Sequence, residues 1–544
     1  MQNNRVNYFC GLIIFLLFPN FLLAQTWAKV YGLYGVNSYE FSRAIIPGHD
    51  GTYIIVCLSF NDELDFGVVN IDTFGNIIWQ KSFGGKDYDG AERIQRTLDG
   101  GYVVTGITLS YGAGSSDFWV TKLDKSGSII WQNTYGGDDN DEQTSVVITK
   151  DNGIVISGVS SYSFGIGTDA WIIKLNKNGN ISWQKIYGMP DSDGPHEIIA
   201  TSDGGLIMAG YTSREVVVGT AWIVKLDING NIQWEKSYER GRGESARSIV
   251  ETNDGGYLVG GMTGGNKRGA ADIWILKLDV SGNIIWQRAY GGSDDDIIDS
   301  IVDTPDNGYI ILADTKSFGA GAWDILLFKI DDSGNVVWQR TFGDVFRDSA
   351  SQISKAHDGG YIITGITDNL NLPNYHTLIL KITEDGTIEG TCSSFHEANL
   401  KVIDTKATVR NTSAKVRNTN VKPHPTNAKA IDTTAVVDTI CSSAVIDISC
   451  QPTTLPFLLR MSKCSVKPNY GYTATIYMSC AGLPTGAACK FSPDVIVPIG
   501  DFSSETTLTV EIRNAIEAGI YPFQIVASNG AVSSTFNMNL KVNK

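Results

Sequence analysis

An acidic or amidic side chain stands ten residues after a tryptophan seven times in this chain, at Asn37, Asp89, Asp141, Asp193, Glu244, Asp296 and Asp348. Carboxylates at such a regular spacing could gather cations along one rim. The same side chains can instead accept backbone N–H bonds and fix the entry to the next strand, as Asx-turn residues do. Recurrence in every unit favours the structural role, because a need of the fold repeats with the fold and a binding site rarely does. Calcium is the one cation that the clusters Asp138-Asp139-Asn140-Asp141 and Asp294-Asp295-Asp296 suggest. Neither follows the alternating ligand spacing of a calcium loop, so no cofactor is expected.

The residues that break the repeat carry more information. Met189-Pro190-Asp191-Ser192-Asp193-Gly194-Pro195-His196-Glu197 stands where other units read Gly-Gly, and Glu239-Arg240-Gly241-Arg242-Gly243-Glu244 follows one unit later. Asp193, His196, Glu197, Arg240 and Arg242 are therefore the candidate ligand-binding residues, suited to an anion or a carboxylate sugar. A solvated charged rim is the commoner fate of such residues. Loop aromatics Tyr111, Tyr162, Phe164 and Phe318 could stack on sugar rings, but they recur in similar Gly-rich settings, which favours loop anchors. There is no H-E-x-x-H, G-x-S-x-G, P-loop or zinc pattern, and His occurs only six times. No catalytic residue and no metal ligand is assigned. A carboxylate pair facing across a channel, as glycoside hydrolysis uses, is invisible to spacing and stays open.

What must position these residues is a repeat. Trp27, Trp79, Trp131, Trp183, Trp234, Trp286 and Trp338 are separated by 52, 52, 52, 51, 52 and 52 residues. Each unit holds four strand signals: the Trp segment, a short run such as 246–252, a Gly-Tyr strand such as GGYLVGGMT, and an alternating strand such as DIWILKLD. Asp-Gly-Gly or Asp-Asn-Gly at Asp99, Asp151, Asp203, Asp254, Asp306 and Asp358 supplies tight hairpins between the second and third signals. Units of this size and number predict radial closure into a seven-bladed β-propeller. One further period from Trp338 lands on Gly390, where Trp is missing. The Trp27 strand is expected to fill that slot and remove an open edge. The Trp side chains are read as packing between blades. The long one-to-two and three-to-four connections share one face, and binding is expected there.

The stretch DFWVTKLDKSGSIIWQNTYGG at 117–137 resembles the repeat of secreted bacterial β-propellers of the SBBP type, over 26–391. The resemblance implies the fold and no particular activity. Residues 1–25, with Arg5 before the apolar run 9–18, read as a signal peptide, so the chain is expected to be exported to the cell surface, the medium or the periplasm. No later segment predicts a membrane span, and the net charge of −15 opposes nucleic acid as a partner. Residues 392–445 are rich in Thr, Asn, Ala and Lys with a loose seven-residue recurrence (DTKATVR, NTSAKVR, NTNVKPH, PTNAKAI), and read as a poorly ordered linker.

Residues 446–544 return to strand patterning and predict an immunoglobulin-like β-sandwich, similar to modules appended to secreted bacterial enzymes and adhesins. Cys480 and Cys489 are expected to form a disulfide across a short Gly-Leu-Pro loop. Pairing among Cys392, Cys441, Cys450 and Cys464 has three connectivities, with Cys450–Cys464 preferred. The fold class is thus all-β, and the favoured function is a non-catalytic binding or scaffold protein for a glycan or protein ligand. An extracellular carbohydrate-active enzyme is the alternative.

Overall fold

The computed structural model describes residues from Thr26 to Val542, apart from short stretches that include 33–38, 162–166, 265–269 and 369–374, position 242, and many intervals after residue 388. The expected signal at 1–25 lies outside the described residues, as do Asn37 and Arg242. Every regular element described is a β-strand. Among the described residues no helix is long and apolar enough to cross a membrane.

Seven sheets between Trp27 and Ser442 follow one plan, a propeller-like arrangement of four-stranded meanders. In the second sheet, Asp89–Arg96, Tyr102–Thr108, Asp117–Leu123 and Ile129–Tyr135 pair antiparallel in chain order. The strands that open the first to seventh sheets are Tyr39–Pro47, Asp89–Arg96, Asp141–Ile148, Asp193–Ala200, Glu244–Glu251, Asp296–Asp303 and Asp348–Lys355. These are the inner strands: each packs on the inner strands of the preceding and following sheets, and the seventh packs on the first. Ser351 Oγ donates to the Ser42 carbonyl and Ser354 Oγ to the Ile45 carbonyl, each at 2.7 Å, across that last contact. The strand Trp27–Gly32 pairs with His376–Ile382 and so completes the seventh sheet.

Burial explains the sequence of each strand. The third strands, such as Asp117–Leu123 and Asp169–Leu175, are buried at every position because a neighbouring sheet covers both faces. A lysine sits in this apolar run in six sheets, and its ammonium reaches the hairpin aspartate: Lys174 to Asp151 at 2.7 Å, Lys225 to Asp203 at 2.9 Å, Lys381 to Asp358 at 2.7 Å. A buried ammonium needs such a partner. The hairpin aspartates therefore do more than shape their turns.

The tryptophans pack between sheets. The indole of Trp183 donates to the Ile228 carbonyl at 3.0 Å in the next sheet, and Trp27, Trp131, Trp234 and Trp286 do the same one sheet on from each. Each indole rests against a turn glycine of positive φ, such as Gly75 beneath Trp27 and Gly230 beneath Trp183.

The segment 392–445 departs from the expected linker. Its described strands run along the outside of the seven sheets and add a fifth strand to each, in the order sixth, fifth, fourth, third, second, first, seventh. Lys401 lies opposite Gly291, Thr408 opposite Glu239, Lys415 opposite Gly188, Lys429 opposite Gly84 and Val436 opposite Gly32. The seven-residue recurrence is thus the stride from one sheet to the next. Low apolar content rules out a core of its own, but an extended chain needs none when an open sheet edge offers backbone partners.

Beyond Ile446 two further sheets pack on a shared core that includes Val466, Ile476, Leu508, Phe523, Ile525 and Leu540. Cys450 and Cys464 are bonded across adjacent strands of one sheet, and the Cys480–Cys489 bond ties that sheet to the other. Cys57 is buried, with Sγ 3.7 Å from the Gly67 carbonyl oxygen.

Candidate functional site at the meeting of the inner strands

Every inner strand carries one register shift, and the seven residues stepped over are of six types. Arg43, Glu92, Thr144 and His196 occupy it in the first four, and Arg247, Asp299 and Ser351 in the last three. The bulge arises locally. In the third sheet Gly158 lies opposite Gln143, and a Cβ there would collide with the Glu142 carbonyl oxygen, so the inner backbone crosses close above the glycine and kinks. A bulge turns an extra side chain out of the ladder. Here all seven turn toward one another and border a cavity of about 310 Å³.

The same register corrects the ring of acids. Counting from the inner bulge, the position held by Asp89, Asp141 and Asp193 is held in the first sheet by Glu40, opposite Ser59, and not by Asn37. An extra three residues between Trp27 and the inner strand hide this from a fixed count. The aspartates fasten loops. Asp89 accepts the Gly85 N–H at 2.7 Å and the Thr108 hydroxyl, and Asp193 accepts the Met189 N–H at 2.6 Å. Two of the loop aromatics anchor likewise, the Tyr111 hydroxyl donating to the Gly84 carbonyl at 3.0 Å and Phe318 packing on the core, while Tyr162 and Phe164 lie outside the described residues. Asp141, in the first acidic cluster, accepts the Gly137 N–H at 2.9 Å. Among the described residues no three His, Cys, Asp or Glu side chains come together as a metal-ligand set.

The loop-rim candidates separate. Asp193 is buried at its turn. Arg240 Nη1 donates to Thr263 Oγ1 at 3.0 Å, away from the cavity lining. Glu197 accepts the Ile249 N–H of the next inner strand at 2.7 Å, and so ties two sheets together. Of the described candidates only His196 reaches the cavity, from the inner strand rather than the rim. Arg43, Arg247 and Asp299 at bulge positions, and Arg93 and Gln143 beside bulges, are not singled out by spacing, because these positions vary in residue type and match no motif.

Electrostatics in the cavity are uneven. Burial, then the charges of Arg247 and Arg93, lowers the His196 pKa to about 4, so its imidazole is neutral at pH 7. Burial and the neighbouring Asp314 hold the Asp299 carboxyl well above the usual range, while Arg247 and Arg93 oppose this. Burial raises Asp314 to about 6 against its bonds from Ser349 and the Ala350 N–H. Two such carboxyls in one low-dielectric place retain a proton between them. Arg43 Nε comes within 3.7 Å of Glu92 Oε2.

Several groups are left without partners. Gln143 is 4% exposed, and neither its amide nitrogen nor its amide oxygen has a hydrogen-bond partner. Asp299 Oδ2 and Arg247 Nε are buried in the same condition. Thr144 and Ser351, by contrast, donate to the carbonyls of Ser157 and Ser42. The cavity thus holds unengaged donors and acceptors within a shell of satisfied ones.

No protein-family model matches the chain. No curated protein matches it. Among solved structures, an endo-arabinase from Bacteroides thetaiotaomicron is 13% identical with a TM-score of 0.27, over 45% of this chain and 94% of that one. A eukaryotic initiation factor is 11% identical with a TM-score of 0.34, over 71% and 98% respectively. The Saccharomyces cerevisiae core factor is 11% identical with a TM-score of 0.36, over 65% and 61%. At these values the likenesses carry no argument about function.

Proposed function

We propose that this chain is an exported, non-catalytic binding protein, a seven-bladed β-propeller of the SBBP type followed by an immunoglobulin-like module, whose ligand site is the cavity among the inner strands. The contact of the seventh inner strand with the first supports ring closure. The two packed sheets after Ile446 support the module, and two disulfides suit an oxidising compartment outside the cytoplasm.

One observation carries the functional reading: the seven bulge positions bring polar and charged side chains of six types to face one another around one cavity. Structural positions repeat with the unit. Positions that converge and differ are what a specific, asymmetric ligand requires. A second reading, a carbohydrate-active enzyme, is favoured by the proton-retaining Asp299. It lacks a second free carboxylate, since Glu92 faces Arg43 and both Asp314 oxygens are bonded.

Binding of the full chain to a glycan array, repeated with Arg247→Gln, tests the first reading. Binding lost in the variant is the expected result, and binding indifferent to it overturns the site. Cleavage of any polysaccharide, abolished by Asp299→Asn, would establish the second.

A further inference from the structure

The unpartnered groups in the cavity specify more than a place. Gln143 presents a donor and an acceptor from one buried amide, a combination that a hydroxyl group satisfies from both sides. Asp299 Oδ2 also lacks a hydrogen-bond partner, and a hydroxyl group, which both donates and accepts, can supply one. Arg43, Arg93 and Arg247 bring three guanidinium groups to the lining, against Glu92 and Asp299. The buried Nε of Arg247 has no hydrogen-bond partner, and a guanidinium group matches a carboxylate in fork geometry. A cavity of about 310 Å³ lies at the small end of ligand pockets and suits one sugar-sized molecule.

The rest of the chain sharpens this. Its net charge is −15, so an anion gains nothing from the surface at large. The gathered guanidinium groups make the cavity a local exception.

Resting on the cavity being the ligand site, we propose that it takes a polyhydroxylated monocarboxylate of monosaccharide size, that is, a hexuronic acid unit. The carboxylate lies between Arg247 and Arg43, and ring hydroxyls engage the Gln143 amide and Asp299. The unit can be a free uronic acid or the terminal residue of an acidic polysaccharide.

Titration calorimetry of the full chain with D-glucuronate and D-galacturonate, against D-glucose and D-galactose, decides the class. A uronate affinity at least tenfold above that of its neutral parent is expected, with at least a tenfold loss in Arg247→Gln and in Gln143→Ala. Lys86→Ala, an exposed control, should leave it unchanged, and thermal midpoints report that each variant folds. Oligogalacturonides form the second arm: monomer binding assigns the free acid, and oligomer binding without monomer binding assigns the chain end. Equal affinity for neutral sugars, or uronate affinity untouched by Arg247→Gln, overturns the class. If only a neutral glycan binds and its binding is lost in Arg247→Gln, the acidic ligand is wrong while the cavity site stands. If no ligand responds to either cavity variant, the site itself fails.

Discussion

The hydroxyl of Tyr187 donates to the carbonyl oxygen of Gly230 at 2.7 Å, across the boundary between the third and fourth sheets. Trp183 rests on the same glycine. The pairs Tyr31–Gly75, Tyr135–Gly179, Tyr238–Gly282 and Tyr290–Gly334 repeat the bond at other boundaries. One turn glycine therefore receives both an apolar face and a buried hydrogen bond from the sheet before it.

Gly230→Ala should be the more damaging substitution at this junction. Its φ is +72°, and a Cβ would come 2.8 Å from the Tyr187 hydroxyl and 2.9 Å from the Trp183 ring. A loss of about 1–3 kcal/mol is expected from left-handed strain plus overpacking. Tyr187→Phe should cost about 1 kcal/mol, for one buried hydrogen bond. Denaturant titration of each variant checks the order.

The buried lysines make an asymmetric prediction. Lys225 is 2% exposed and its Nζ lies 2.9 Å from Asp203, whose side chain is half exposed. Asp203→Ala strands a buried ammonium and should cost about 3–5 kcal/mol. Lys225→Met leaves only a hydrated carboxylate and should cost under about 1 kcal/mol. Burial acts on Asp203 in the opposing sense, but bonds from Thr201 and Lys225 prevail and lower its pKa to about 2. The pair's contribution is thus present above the ordinary carboxylate pKa and fades as pH falls toward 2. A double-mutant cycle across this range measures it.

Acid should act oppositely on two other groups. The folded pKa of His196, about 4, lies below its ordinary value, so the unfolded chain binds more protons between pH 4 and 6.5 and stability falls on acidification there. His196→Gln should flatten that slope. Asp117 is raised to about 7 by burial and then by the charge of Asp141, so the folded chain holds the extra proton. Its contribution is full below the ordinary carboxylate pKa and is lost as pH rises to about 7. Asp117→Asn should raise the thermal midpoint at pH 8 and change it little at pH 4.

Ending the chain before residue 392 should bare the outer edges of the seven sheets. Each lost backbone bond is worth about 1 kcal/mol. A lower midpoint and faster aggregation are expected, read by differential scanning calorimetry and light scattering.

How much of this was legible follows from what each residue answers to. Trp183, Asp203 and Gly230 answer to the repeated four-stranded sheet, recur with it, and reveal it by spacing alone. Arg247, Gln143 and Asp299 line one cavity whose residues run from Arg43 to Ser351 along the chain, and no local pattern marks them. His196 drew attention as a break in the repeat, but its bulge, which depends on the opposite strand, decides that it points inward. The outer strands were visible only as a seven-residue recurrence, because Lys415 and Thr408 are chosen by an edge that another part of the chain supplies.

The strand Trp27–Gly32 lies between His376–Ile382 and Val436–Ser442, so both of its neighbours are made more than three hundred residues after it. During synthesis this strand must wait, unpaired, for nearly all of the seven sheets to follow. Contacts of such long sequence separation form late and slow folding. A chain of this design stays open at its oldest end through most of translation, which is the condition a polypeptide needs if it is to be threaded across a membrane before it folds.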